Sequence, residues 1–238
     1  MKRSKLLAVF VLLASILFAI SPWLVPSFDG FDSSQFPLPQ VARPVQPAGY
    51  TFAIWGVIYL WLIVGSAYGL LKAADDEDWK EMRPPLLASL VLGVFWLPIA
   101  TESPVWATVV IVFMAIFAII AFLKAGDKAP LFQIWPVALY AGWLTAATGA
   151  GIGVTLGGYG VLAPDLAALV CISGVLLAAL LVQSARIENW GYPAALVWAL
   201  AGIIVANVPN SNWPVIGVVI AGITVILVRP IQSSLKGS

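Results

Sequence analysis

Aromatic side chains are the residues of this sequence that could bind another molecule. Phe52, Trp55 and Tyr59 are spaced i, i+3 and i+7, which puts them on one face of a helix. Tyr140 and Trp143 share a face of a later helix by the same arithmetic. Such stripes can pack helices together, or they can present flat faces on which an apolar ring system stacks. The spacing allows both interpretations.

Groups for acid–base or metal chemistry are scarce. The chain has 0 His, which excludes a Ser-His-Asp hydrolase and histidine-based metal catalysis. The acidic run Asp75-Asp76-Glu77-Asp78 has no second acidic cluster to face, so a solvated turn is favoured over a magnesium diphosphate site. We therefore predict no catalytic residue, no metal ligand and no required cofactor.

The elements that carry these residues are apolar runs. The 238 residues are 61% hydrophobic and 10% charged, more apolar surface than a soluble core of this size can bury. An apolar helix needs about 20 residues to cross a bilayer, and shorter runs can thin the bilayer or pack inside a bundle. The sequence predicts an all-α integral membrane protein of about eight transmembrane helices. The runs cover residues 6–25, 51–71, 85–100, 105–123, 132–156, 166–182, 193–208 and 214–228.

Cationic residues predict the orientation of these helices. Eleven of the twelve Lys and Arg residues lie before the first run, in alternate gaps or after the last run, and Arg43 is the exception. Because cationic loops stay in the cytoplasm, both termini are expected there, in a bacterial inner (plasma) membrane. The first run also resembles a secretory signal, but it lacks a small-x-small cleavage site, so we expect it to be retained. The net charge of +1 leaves no basic stripe for nucleic acid.

The long connection over residues 26–50 is rich in proline. It contains Pro26, Pro37, Pro39, Pro44 and Pro47, which prevent a helix and favour extended geometry. Long loops of compact proteins are usually functional or disordered. We predict that this segment, the cover loop, lies over one mouth of the bundle.

Small residues predict where helices pack closely. Gly149, Gly153 and Gly157 form a small-xxx-small row, which favours close contact between two helices. Short gaps predict that consecutive helices are antiparallel neighbours. The single cysteine, Cys171, lies inside an apolar run and is expected to be a buried apolar residue.

Three segments together resemble the tryptophan-rich sensory protein, or translocator protein, family, which includes the peripheral benzodiazepine receptor. The first is PVQPAGYTFAIWGVIYLWLIVGSAYGL, where Pro47, Phe52, Trp55 and Tyr59 stand where the family carries the same residue types. The others are Trp96 followed by Pro98, and Pro136 followed by Trp143 and small residues up to Gly149.

This resemblance covers residues 1–156 and implies a five-helix core. Residues 157–238 are then a three-helix C-terminal extension that enlarges the bundle, covers an oligomer surface or forms a new interface. Ser89 and Gly93 stand where the family usually has Gln and Asn, and Gly151 stands at a family Asn. Polar contacts that family members offer to a ligand or a neighbouring helix are therefore missing.

The resemblance implies a membrane receptor, carrier or sensor for a flat hydrophobic ligand such as a tetrapyrrole (porphyrin or heme type) or a sterol. The expected partners are this small molecule and the lipid bilayer, and a homodimer or other membrane subunits would be compatible with the extra helices. A membrane enzyme that modifies isoprenoid or tetrapyrrole compounds, and a non-catalytic membrane assembly factor, are the alternatives. The predicted ligand-binding residues are Tyr50, Phe52, Trp55, Tyr59, Trp96, Tyr140, Trp143 and Ala147.

Overall fold

The computed structural model describes residues 3–25, 30–39 and 42–236, with side chains up to Arg229. Within these residues the chain is helical and has no strand. Each of the eight predicted apolar runs forms one long helix, and a single helical turn, α3, is added between the second and third. The helices are α1 (Arg3–Ile20), α2 (Ile54–Leu71), α3 (Glu77–Lys80), α4 (Arg83–Glu102), α5 (Pro104–Leu123), α6 (Ile134–Gly158), α7 (Pro164–Ala185), α8 (Gly191–Asn207) and α9 (Trp213–Lys236).

The helices are apolar around most of their circumference, which is typical of segments that contact both lipid and protein. Among the described residues, seven helices are long and apolar enough to cross a membrane, and α9 has a shorter apolar stretch, Trp213–Arg229. Residues that favour helix N-termini explain where several of the helices begin. Pro104 and Pro164 are the first residues of α5 and α7, and the Ser103 side chain accepts a hydrogen bond from the Trp106 backbone N–H. The protein is therefore an all-α integral membrane protein.

Helix α6 lies at the centre of the bundle and is the most deeply buried span. It packs against α5, α7 and α8, whereas α1 packs against α2 and α4. Helix α9 closes the other side against α7 and α8. The expectation that consecutive helices are neighbours is correct from α4 through α7 and for α8 and α9. Helices α7 and α8 touch only slightly, because α6 packs on both, and α2 and α4 each pack on α1 instead of on each other.

The glycine row of α6 serves two different neighbours. A Cβ on Gly149 would lie 2.2 Å from a methyl carbon of Val175 on α7, as expected for close helix packing. A Cβ on Gly153 would instead lie 2.9 Å from Val45 of the cover loop. The prediction of two packed helices therefore holds at Gly149 and is wrong at Gly153, where the missing side chain lets the loop approach. Cys171 is buried at the α6–α7 contact, as expected.

At the opposite end of the bundle from the cover loop, Arg83 fixes the C-terminus of α2. Its guanidinium donates to the carbonyl oxygens of Gly69, Ala73 and Ala74 at 2.8–2.9 Å and lies 5.7 Å from the Trp79 ring centroid. A cation is favourable there because the last carbonyls of a helix have no partners within it.

The acidic run 75–78 is used in ion pairs and backbone contacts at the same end. Lys128 lies 2.9 Å from the Asp76 carboxylate and holds the pKa of that carboxyl below its usual value. The Asp78 carboxylate accepts from the Lys128 backbone N–H at 3.4 Å. These contacts tie the α5–α6 connection to the segment between α2 and α4.

Candidate functional site

Aromatic rings from three helices meet near the cover loop. Trp55 and Tyr59 stack with ring centroids 5.2 Å apart and planes at 17°, as expected for an i, i+4 pair. The Phe18 ring of α1 meets both edge-on, at 5.5 and 5.0 Å. Trp55 also lies 6.0 Å from Trp143 and 6.4 Å from Tyr140, both on α6. The two stripes predicted from spacing thus face each other across the bundle.

The first cavity, called the aromatic cavity, has a volume of about 340 Å³. It lies between the cover-loop ends of α1 and α2 and the facing sides of α4 and α5. Its walls are almost entirely apolar, with several rings that present faces or edges to the space. Residues that line it include Phe18, Pro22, Phe52, Trp55, Tyr59, Trp96, Leu97, Ile111 and Met114.

The second cavity, called the loop cavity, is smaller, about 70 Å³. It lies beneath the cover loop and between α6 and α8, where small side chains at Ala146, Ala147 and Ala150 leave space. Phe52, Trp96 and Ile111 line both cavities, so the two adjoin along a shared wall. The remaining walls come from the loop and from α8, chiefly Phe31, Gln46, Pro47, Trp143, Ala199 and Ile203.

Six of the eight residues predicted from the sequence line these cavities. They are Phe52 and Trp96 in both, Trp55 and Tyr59 in the aromatic cavity, and Trp143 and Ala147 in the loop cavity. Tyr140 lies behind the wall, fully buried, and its hydroxyl is 2.8 Å from Ser89 Oγ. Tyr50 lines neither cavity. Its ring is 50% exposed and meets Trp198 of α8 edge-on at 5.6 Å.

Several lining residues were not predicted. Phe18, Ile111 and Met114 lie in apolar runs without any spacing that separates them from lipid-facing positions. Ala199 and Ile203 belong to α8, which the motifs of the resemblance did not reach. The glycine at position 93 is the one residue whose type is related to the place of Phe18, because a Cβ there would lie 2.7 Å from the Phe18 ring. A glycine opposite a large ring is visible only once both helices are placed.

The positions that depart from the family pattern have physical roles here. Ser89 Oγ donates to the Met114 carbonyl, so the Tyr140 hydroxyl donates to Ser89 in turn, at 2.8 Å each. Gly93 provides the space in which the Phe18 ring packs. The Gly151 carbonyl accepts from Thr108 Oγ1 at 3.4 Å. Ser89 thus holds the Tyr140 hydroxyl, and Gly93 makes room for the Phe18 ring of the wall.

The polar atoms of the site are few. Trp96 Nε1 donates to the Ala107 carbonyl at 2.9 Å. Trp143 is 2% exposed, and its Nε1 is buried without an acceptor among the described residues. The described residues that line the two cavities include no Asp, Glu, Lys, Arg or Cys. The site offers apolar contact and aromatic rings, with Tyr59 and Gln46 as uncharged polar residues among those that line it.

The fold and the site define a helical integral membrane protein with two adjoining apolar cavities beside a cover loop. The model of the family described as TSPO-like protein matches residues 6–231, and the chain belongs to this family. The match runs from α1 into α9, further than the resemblance over residues 1–156 that the motifs showed. Comparisons with curated proteins and with solved structures found no match.

Proposed function

We propose that this protein is a membrane receptor or carrier that binds a flat hydrophobic ligand in the aromatic cavity and the loop cavity. The observation that carries the proposal is the pair of adjoining cavities, with rings from α1, α2, α4 and α6 in their walls. At about 340 Å³, the aromatic cavity is within the usual range for small-molecule sites, about 300–1,000 Å³.

The composition of the walls supports binding by contact and stacking. A flat ring system buries much apolar area against Trp55, Tyr59 and Phe52, and ring pairs add about 0.5–1.5 kcal/mol beyond area burial. A tetrapyrrole of the porphyrin or heme type, or a sterol, is the ligand class that the family resemblance suggests.

The test is a titration of protoporphyrin against the purified protein in detergent, followed by tryptophan fluorescence. Trp55→Ala removes a stacking surface from the cavity wall, so binding should weaken by roughly tenfold or more, at about 1.4 kcal/mol per decade. Trp106→Ala is the matched control, because Trp106 is 64% exposed on α5 and lines neither cavity.

Folding of each variant is checked by circular dichroism. The proposal is refuted if the wild type shows no saturable binding, or if Trp106→Ala weakens binding as much as Trp55→Ala does. Trp61→Ala is a poorer control, since Trp61 Nε1 donates to the Leu131 carbonyl at 2.6 Å and its ring stacks on Trp135.

A further inference from the structure

Helix α8 supplies part of the wall of the loop cavity. Ala199 and Ile203 are one turn apart and face the cavity together, with exposed fractions of 1% and 6%. They lie opposite the small residues of α6, so the distance between the two helices and the size of these two side chains determine the width of the space.

The same helix holds the roof of the cavity. Three hydrogen bonds join it to the cover loop and the turn that leads into α2: Asn207 Nδ2 to the Pro44 carbonyl at 2.7 Å, the Ala48 N–H to the Gly202 carbonyl at 3.1 Å, and Trp198 Nε1 to the Thr51 carbonyl at 2.8 Å. A Cβ on Gly202 would lie 2.2 Å from Thr51 Cγ2, so the loop is seated against the helix backbone. Helix α8 therefore contributes to both the wall and the roof of the loop cavity.

The two cavities differ in what they can hold. The loop cavity, at about 70 Å³, has room only for a short group. The aromatic cavity is about five times larger by the same measure, 340 Å³ against 70 Å³, and is lined by more rings. A ligand that passes between the Phe52, Trp96 and Ile111 side chains of the shared wall would place its ring system in the larger cavity and a short substituent in the smaller.

We propose that α8 sets the size of the substituent that the ligand can carry, with Ala199 and Ile203 as the specificity-determining residues. This inference rests on the proposed binding function and names its substrate class: a flat ring system with one short apolar substituent. Helix α8 acts here as the wall that excludes longer groups.

Pyrene, butylpyrene and octylpyrene are suitable probes, because they share one ring system and differ in chain length. Binding is measured in lipid nanodiscs by energy transfer from tryptophan to pyrene. Ala199→Leu adds three carbon atoms to the wall of a small cavity. A misfit of this kind in an apolar pocket lowers the affinity about tenfold or more. We expect butylpyrene binding to fall by about tenfold and pyrene binding to fall much less, so that the ratio of the two affinities changes.

Ile203→Ala makes the opposite change and should improve octylpyrene binding by about tenfold. The matched control is Ala194→Leu, the same substitution at an exposed position of α8, which should alter none of the three affinities. If Ala199→Leu does not fold, the Ile203→Ala result decides alone.

The outcomes separate the two proposals. If the wild type binds none of the probes, the flat-ligand function itself fails. If the wild type binds pyrene but Ala199→Leu weakens all probes equally and Ile203→Ala changes none, the function stands and the role of α8 is refuted.

Discussion

Two tryptophans of the site differ in the hydrogen bonding of the indole Nε1 atom. Trp96 Nε1 has the Ala107 carbonyl at 2.9 Å, whereas Trp143 Nε1 is buried with no acceptor among the described residues. A buried donor left without a partner costs about 1–3 kcal/mol. Trp96 thus stabilises the folded chain through its N–H, whereas the N–H of Trp143 makes no such contribution among the described residues.

Replacing each of these residues by Phe keeps a ring and removes the N–H. Trp96→Phe should lower the unfolding temperature of the protein more than Trp143→Phe does, since only Trp96 loses a hydrogen bond to a protein partner, which contributes about 1 kcal/mol. Thermal unfolding in detergent measures the difference. Equal losses of unfolding temperature would contradict the assignment.

The side chains at the site show which residues sequence patterns can find. The spacing of Phe52, Trp55 and Tyr59 predicts a shared face because helical geometry alone determines it. Phe18 could not be found in this way, since its place in the wall depends on Gly93 of another helix. Tyr50 is adjacent in sequence to the lining residues but turns to Trp198, a contact across 148 positions that no local pattern contains.

At the scale of elements, the contact between the cover loop and α8 should be sensitive to single methyl groups. Gly202→Ala places a Cβ 2.2 Å from Thr51 Cγ2, so the loop has to move off the helix. Gly217→Ala on α9 meets nothing within 4 Å and is the matched control. The first variant should accelerate amide hydrogen exchange at residues 44–51, and the second should not.

The Ala48 amide is the most direct probe in this experiment, because its acceptor is the Gly202 carbonyl itself. Exchange that is equally slow at Ala48 in both variants would show that α8 does not hold the loop. A global rise in exchange across all helices would instead indicate general destabilisation, and the thermal unfolding of the two variants distinguishes that case.

Helix positions along the chain were predictable, and helix neighbours were less so. Apolar runs give the eight long helices because each must satisfy its backbone hydrogen bonds internally in lipid. Which helices touch depends on the shapes of their surfaces, and short connections do not decide it. Helix α6 lies between α7 and α8 although only residues 186–190 connect those two. Gly153 shows the same limit, since a small residue invites close approach without specifying whether a helix or a loop approaches.

At the scale of the whole molecule, the alternation of cations predicts eight spans with both termini in the cytoplasm. This depends on α9, whose apolar stretch, Trp213–Arg229, is the shortest of the eight. Ser34→Cys and Ser234→Cys, each in a Cys171→Ala background, test it with a membrane-impermeant maleimide. Ser34→Cys should react on intact spheroplasts, and Ser234→Cys only after permeabilisation.

Labelling of both positions from outside would show that α9 does not cross the membrane and would reverse the predicted location of the C-terminus. The Lys and Arg pattern would then describe seven spans with the last segment lying along the surface. Neither result affects the cavities, because no residue of α9 lines them among the described residues.

The bonds between the cover loop and α8 also have a consequence for how the protein is made. The partners in these bonds lie 147 positions apart for Thr51 and Trp198, and 163 for Pro44 and Asn207. The cover loop therefore cannot form these bonds until α8 has been synthesised and inserted, and its attachment to α8 is completed late in translation.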